Sequence, residues 1–288
     1  MSYARHQTFH IRSGWLAKAL EELGKDCRLF SKKDASIRLG IGKNMVQALR
    51  FWVEAVGLVN QKPLKKLNGK QGMVLTKFGN IVKKHDPYFE FDITWWIIHY
   101  NIVKDETQAT SWHYLFNVYT RSEFDQFNFI DKISTHTNNA VRESSYKKDF
   151  DCIISTYVKD DKVSDTPEDN IICPLTDLGL IKTKGNSYYK TSPSKQIPLE
   201  VLLLVIREAA DGNVFINISN LENDTCNIGK VFNLSLDKIY FYLDLMQEKG
   251  WLKFSRTAGI DSLVLSELDV WQLITDTYKT MNKGAVNK

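Results

Sequence analysis

No stretch of the 288-residue sequence approaches the roughly 20 apolar residues that a membrane-spanning helix requires. The opening residues, MSYARHQTFHIRSGWL, lack the apolar centre of a secretory signal. The four cysteines (Cys27, Cys152, Cys173 and Cys226) are widely spaced and form no CxxC pair. They read as reduced, mostly structural thiols of a cytoplasmic protein. Also missing are a cluster of metal-ligating side chains, a glycine-rich loop for cradling phosphate and a nucleophile beside a base. Asp149, Asp151 and Asp160 with Lys162 loosely suggest nuclease acids, but no Glu-x-Lys triplet accompanies them. The expectation is a non-enzymatic protein without metal or cofactor.

Material for packed cores is ample, at 43% apolar and 12% aromatic residues. The length suggests two domains, or three small ones. Charge is divided unevenly along the chain. Residues 1–85 hold 17 Lys and Arg against 5 Asp and Glu, a net of +12. The remaining 203 residues hold 21 against 29, a net of −8. A basic field concentrated in one unit is the footprint expected of a polyanion partner.

Within that unit, residues 30–59 read FSKKDASIRLGIGKNMVQALRFWVEAVGLVN. Ser31 is expected to cap a helix, with Asp34 in the place of a capping-box acid. Gly40 and Gly42 supply a turn. From Lys43, apolar residues recur at Val46, Leu49, Val53 and Val56, the spacing of one buried helical stripe. Gly57 ends that helix. Strands over Leu58–Lys62 and Met73–Thr76, around Asn68-Gly69, make a hairpin. The whole is a winged helix-turn-helix pattern, preceded by a helix over residues 9–23 and followed by a short helix capped by Thr76.

On the face opposite the apolar stripe stand Lys43, Asn44, Gln47 and Arg50. Amides can bond adenine edges, and cations can bond guanine or phosphate. The hairpin adds Lys62, Lys65, Lys66 and Lys70, better placed for phosphate than for bases. These eight residues are the candidate nucleic-acid contacts. The plainer reading makes them a solvated surface on a protein-docking module. His6 and His10 are spaced for a metal on a helix face, but packing or surface roles are expected of them, as of His99 and His113.

Residues 86–192 change character. Trp95, Trp96 and Trp112 head two aromatic-rich helices that read as core rather than as a base-stacking platform. A second helix-turn-helix-like unit follows, with Lys147 and Lys148 on a solvated face and a hairpin turning at Gly185-Asn186. Between them lies an acidic, proline-bearing loop, KDDKVSDTPED. Residues 193–288 start with the linker TSPSKQIP and repeat the first unit's logic. Ile239, Leu243 and Met246 form the stripe, but Leu236, Asp237, Tyr240 and Asp244 point outward. That copy is expected to bind protein or a twin subunit. Its hairpin tip spans Ser255–Gly259, and a tail helix closes the chain.

The runs FHIRSGWLAKAL, FSKKDASIRLGIGKNMVQALRFW, DPYFEFDITWWIIHY and TSWHYLFN, with KKDFDCIISTYV and ICPLTDLGLI later, resemble a bacterial family, domain of unknown function 4007. The resemblance spans most of the chain. It implies a neighbourhood of DNA sulfur-modification (phosphorothioation) and phage-defence genes, but no catalytic residues. The expected fold is therefore mainly α with small β-hairpins: tandem winged helix-turn-helix units flanking an aromatic-rich helical middle, divided as 1–85, 86–192 and 193–288. The expected function is a duplex-DNA-binding or targeting component of such a system, with protein partners from the same operon and a homodimer through the C-terminal unit. The alternatives are a transcriptional regulator of the cassette and a docking scaffold for a modifying enzyme.

Overall fold

Three helices open the chain: α1 (Trp15–Lys25), α2 (Ala35–Leu39) and α3 (Lys43–Ala55). The computed structural model describes residues 1–64, 68–159, 172–257 and 260–286. Trp15, Leu16, Ala19, Leu20 and Leu23 form the buried face of α1, as their spacing requires. Gly40 closes α2 at a φ of 65°. Gly57 follows α3 at a φ of 75°, and the Leu58 amide bonds back to Val53 O. Ser31 does not cap α2. A 3-10 turn over Leu29–Ser31 intervenes and moves the capping position to Asp34, whose side chain makes no cap bond.

Strands β1 (Val59–Pro63) and β2 (Gln71–Leu75) pair antiparallel from Val59↔Leu75 to Pro63↔Gln71. Helix α4 (Lys77–His85) follows directly. Its cap, Thr76, accepts from the Gly79 amide and donates to Gly57 O at 2.6 Å.

The middle of the chain is built around α5 (Asp92–Lys104), with α6 (Thr110–His113) running into a π-helical turn over Tyr114–Val118. Then come β3 (Glu123–Phe124), α7 (Gln126–His136), α8 (Glu143–Tyr157), a 3-10 turn at Pro174–Leu178, β4 (Ile181–Lys184) and β5 (Ser187–Lys190). The last third holds α9 (Leu199–Ala210), β6 (Phe215–Asn217), α10 (Ile218–Asn223), α11 (Ile228–Phe232), α12 (Leu236–Glu248), β7 (Leu252–Thr257), β8 (Ile260–Leu265) and α13 (Val270–Val286). Both later hairpins gain a short third strand, in the orders β3-β5-β4 and β6-β8-β7. The chain is thus mainly helical with small antiparallel sheets. Most of the acidic loop, residues 160–169, and the tip residues 258 and 259 lie outside the described residues. Among those described, no helix is long and apolar enough to cross a membrane.

Eleven consecutive residues of α5, Ile93–Val103, are buried, so the helix has no face to water. Trp95, Trp96 and Trp112 are 8%, 0% and 1% exposed, which makes them core and removes them as a stacking platform. The Trp96 indole N–H is left without a partner, but the other buried polar side chains of α5 find internal ones. Thr94 donates to Asp86 Oδ2 and meets the Tyr278 hydroxyl of α13 at 2.6 Å. Asn101 donates to Val56 O at the end of α3. His99 lies between the Tyr157 hydroxyl at 2.8 Å and Val231 O at 2.7 Å. A carbonyl can only accept, so Nε2 carries the proton and Nδ1 accepts from tyrosine.

This packing makes the fold acid-sensitive. Burial pushes the His99 pKa down from 6.5 to about 4, against a smaller opposing effect of the bond to Val231. Between those values the unfolded chain holds a proton that folded His99 refuses. Stability therefore falls as pH drops from 6.5 towards 4, by roughly 3 kcal/mol. Urea midpoints across that window should show the fall in the wild type and a flatter profile in His99→Gln. Parallel profiles would remove His99 as its source.

Candidate nucleic-acid interface

Apolar and polar positions divide α3 cleanly. Val46, Leu49 and Val53 are buried against α1, while Lys43, Asn44 and Gln47 are exposed. The helix starts at Gly42 without a side-chain cap and with no acid in its first turn. Its first amides therefore keep their partial positive charge beside Lys43 and Asn44.

Arg50 departs from this free face. Its side chain is 42% exposed and its Nε stands 3.9 Å from Glu54 Oε1. That Nε is buried without a hydrogen-bond partner. Arg50 lines a shallow cleft at the junction of α3 and the hairpin, together with Arg28, Ser31, Gln61 and Gln71. Glu54, which draws Arg50 back, also accepts from Gln61 of β1 at 2.6 Å. Two arginines and two amides lining one cleft suit an anion such as a backbone phosphate better than a base edge.

Lys62 on β1 and Lys70 just before β2 are both exposed. They flank a turn in which Asn68 and Gly69 take φ values of 52° and 78°, the left-handed pair that Asn-Gly favours. Lys65 and Lys66 lie outside the described residues. Two of the first unit's acids are bound to other cations. Glu22 binds Lys25 and Arg38, and Asp26 meets Lys32 and Arg38. Hydrogen bonds from Lys25 and then Arg38 hold the Glu22 carboxyl below its usual range. Among the described residues no carboxylate lies within ion-pair distance of Lys43, Lys62 or Lys70.

Elsewhere the polar clusters are structural. Asp149, 1% exposed, accepts from the Ala4 amide at 2.7 Å, His6 Nε2 at 2.9 Å and Ser111 Oγ at 2.5 Å. The acid missing from the neighbourhood of His6 in sequence is thus supplied across 143 residues. Asp149 sits between Ser111 and His6, so the imidazole does not contact the hydroxyl. The cluster pins the N-terminal arm to α6 and α8; no local pattern announced it. Lys147 and Lys148 stay exposed on α8. In the last third, Ile239, Leu243 and Met246 are fully buried and Asp237 and Asp244 exposed.

Comparisons with known proteins accord with this architecture. A family model described as "Protein of unknown function (DUF4007)" matches residues 3–278. A crystal structure of magnesium ion-bound SspB is similar at 27% identity and a TM-score of 0.87, covering 96% of this chain and 88% of that one. A second SspB crystal structure is similar at 26% identity and a TM-score of 0.83, with the same coverage. No curated protein matches the chain.

The hairpin's seat depends on one glycine. A Cβ on Gly79 would stand 2.0 Å from Leu58 O, a contact with backbone that cannot yield locally. Gly79→Ala should force α4 from the base of β1 and cost about 1–3 kcal/mol, read as a lowered urea midpoint. An unchanged midpoint would mean that the hairpin is not seated on α4.

Proposed function

The chain belongs to the DUF4007 family, and we propose that it is a non-enzymatic DNA-binding or targeting component of a bacterial DNA-modification (phosphorothioation-type) or phage-defence system. In this reading residues 1–85 act as a winged helix-turn-helix on duplex DNA, with α3 as the reading helix and the β1–β2 hairpin as the wing. The observation that carries it is the uncompensated positive face. Lys43 with the uncapped amides of α3, and Lys62 and Lys70 on the hairpin, have no carboxylate partner among the described residues, while Glu22 and Asp26 are bound to other cations. Asn44 and Gln47 lie on the same face with free amides for base edges. Arg50, set back beside Arg28, contacts a phosphate rather than a base. The protein works in the cytoplasm with partners from the same operon.

A docking role belongs to the C-terminal unit. Phe215 and Val264 are cross-strand partners on β6 and β8 and are 73% and 37% exposed. With Asp237 and Asp244 nearby in the same unit, that surface repels phosphate and suits a protein or a second copy of this chain. A cassette regulator would need such a dimer and a palindromic operator. The magnesium ion of the SspB structure belongs to that protein. Among the described residues here, no three His, Cys, Asp or Glu side chains gather to hold a metal, so no residue is assigned to one.

Salt dependence separates the roles of wing and helix. Lys62→Ala with Lys70→Ala should weaken binding to all duplexes alike and flatten the plot of log affinity against log salt by about 0.9 per lost phosphate contact. Asn44→Ala or Gln47→Ala should leave that slope unchanged. Where one sequence is preferred, they should erode the preference by roughly 1–3 kcal/mol at the contacted base. Unchanged affinity and slope in the double lysine variant would take the wing off DNA and move the docking-scaffold reading ahead.

A further inference from the structure

Arg12 carries the least compensated charge in the described structure. It is 7% exposed, and its guanidinium lies 5.5 Å from the Phe9 ring and 5.6 Å from the Trp15 ring. The rings attract the cation through their faces but leave its in-plane N–H groups unfilled. Nε is buried with no hydrogen-bond partner, and no described carboxylate or carbonyl reaches the group. Leaving Nε buried without an acceptor is costly, so a partner from outside the chain is favoured.

The same residue lines a pocket of about 90 Å³ that opens on the first turn of α1. That helix starts at Gly14 without a side-chain cap and has no acid in its first turn. The Trp15 amide bonds Arg12 O and the Lys18 amide bonds Gly14 O, while those of Leu16 and Ala17 have no partner. Ser13 adds an exposed hydroxyl at the rim. Trp95, Tyr88 and Pro174 form an apolar wall opposite. A helix N-terminus with two free amides, facing a buried guanidinium with free donors, is complementary to a tetrahedral oxyanion.

We propose that this pocket is a phosphate-ester site, in which Arg12 and the α1 amides bind the phosphoryl oxygens and the aromatic wall flanks the ester group. The site is separate from the α3 face and does not depend on the duplex-binding reading. Its phosphoryl group comes either from a DNA backbone or from a free nucleotide.

The test is thermal unfolding of the full-length protein titrated with inorganic phosphate and, separately, adenosine monophosphate, at ionic strength matched with chloride. A saturable rise of about 5 °C is expected at 100 times the dissociation constant. It should disappear in Arg12→Met, whose side chain fills the same space without donors. Ala17→Glu puts a carboxylate at the third helical position, where it can fold back on the free amides. It should raise the unliganded melting temperature and abolish the phosphate response, which keeps the site testable if Arg12→Met does not fold. Duplex DNA separates the sources. A salt slope flattened by about 0.9 in Arg12→Met, with phosphate competing against duplex, assigns a backbone phosphate. Unaltered duplex binding with a saturable adenosine monophosphate response assigns a free ester. A response equal in the wild type and both variants overturns the site. So does no response at all with an unchanged duplex slope in Arg12→Met.

Discussion

A helix sealed from water on every side must satisfy most of its polar groups inside the protein, and that requirement on α5 organises the molecule. Thr94 reaches α13 through Tyr278, His99 joins α8 to α11, and Asn101 reaches the end of α3. The Tyr100 hydroxyl donates to Glu208 of α9; burial and then that carboxylate hold its pKa well above the ordinary value. The helix's exit is satisfied as well. Val103 O accepts from His113 and from Asn117, and Asn117 Oδ1 receives the Cys226 amide. Asn117 belongs to the π-helical turn, and the altered register there aims it at α5. An orphaned partner in this set would leave a buried donor or acceptor unpaired at a cost of about 1–3 kcal/mol. Five helices, α3, α8, α9, α11 and α13, are thereby held on one.

The reach of Asn101 matters for the candidate interface. Its amide caps Val56 O, and a Cβ on Gly57 would come within 2.6 Å of it. Gly57 is therefore required twice, by its positive φ and by this approach. The turn that aims the hairpin is fixed by a side chain of the central helix, and Thr76 ties the hairpin's other end to Gly57 O. A positively charged face fixed this way does not have to be ordered when a polyanion arrives, and preorganised charge is the form that most favours association.

Much of this was legible because local patterns sufficed. The stripe Val46, Leu49, Val53, the glycines at 40 and 57, and the Asn68-Gly69 turn each act within a few residues, and each element formed where expected. The tryptophans of the middle followed from their helical spacing. What was hidden depends on residues far apart. Asp149 meets His6 across 143 positions. Strands β3 and β6, two and three residues long, exist only because a hairpin edge from elsewhere reaches them. Arg50 has the spacing of an outward residue, yet Glu54 one turn later and Gln61 across the hairpin draw it back. Arg12 gave no signal either, because its burial depends on Phe9, Trp15 and a pocket wall from residues 88–95 and Pro174.

The first and last units show how one order of elements can carry surfaces of opposite charge. Both run short helix, longer helix, hairpin, and both bury a stripe of that longer helix while a glycine with positive φ ends it, Gly57 in one and Gly250 in the other. The buried positions are interchangeable in kind: Val46, Leu49 and Val53 against Ile239, Leu243 and Met246. Selection for packing therefore cannot distinguish the units, and the difference falls on residues that packing leaves free. In α3 these are Lys43, Asn44 and Gln47; in α12 they are Asp237 and Asp244. A carboxylate in place of a lysine costs the fold almost nothing at an exposed position, yet it reverses the sign of the field a phosphate meets. The acidic copy also adds a third strand, and with it the exposed pair Phe215 and Val264, an apolar surface that a basic module for a hydrated polyanion does not need. In the proposed reading, that contrast assigns duplex affinity to the first unit and protein association to the last.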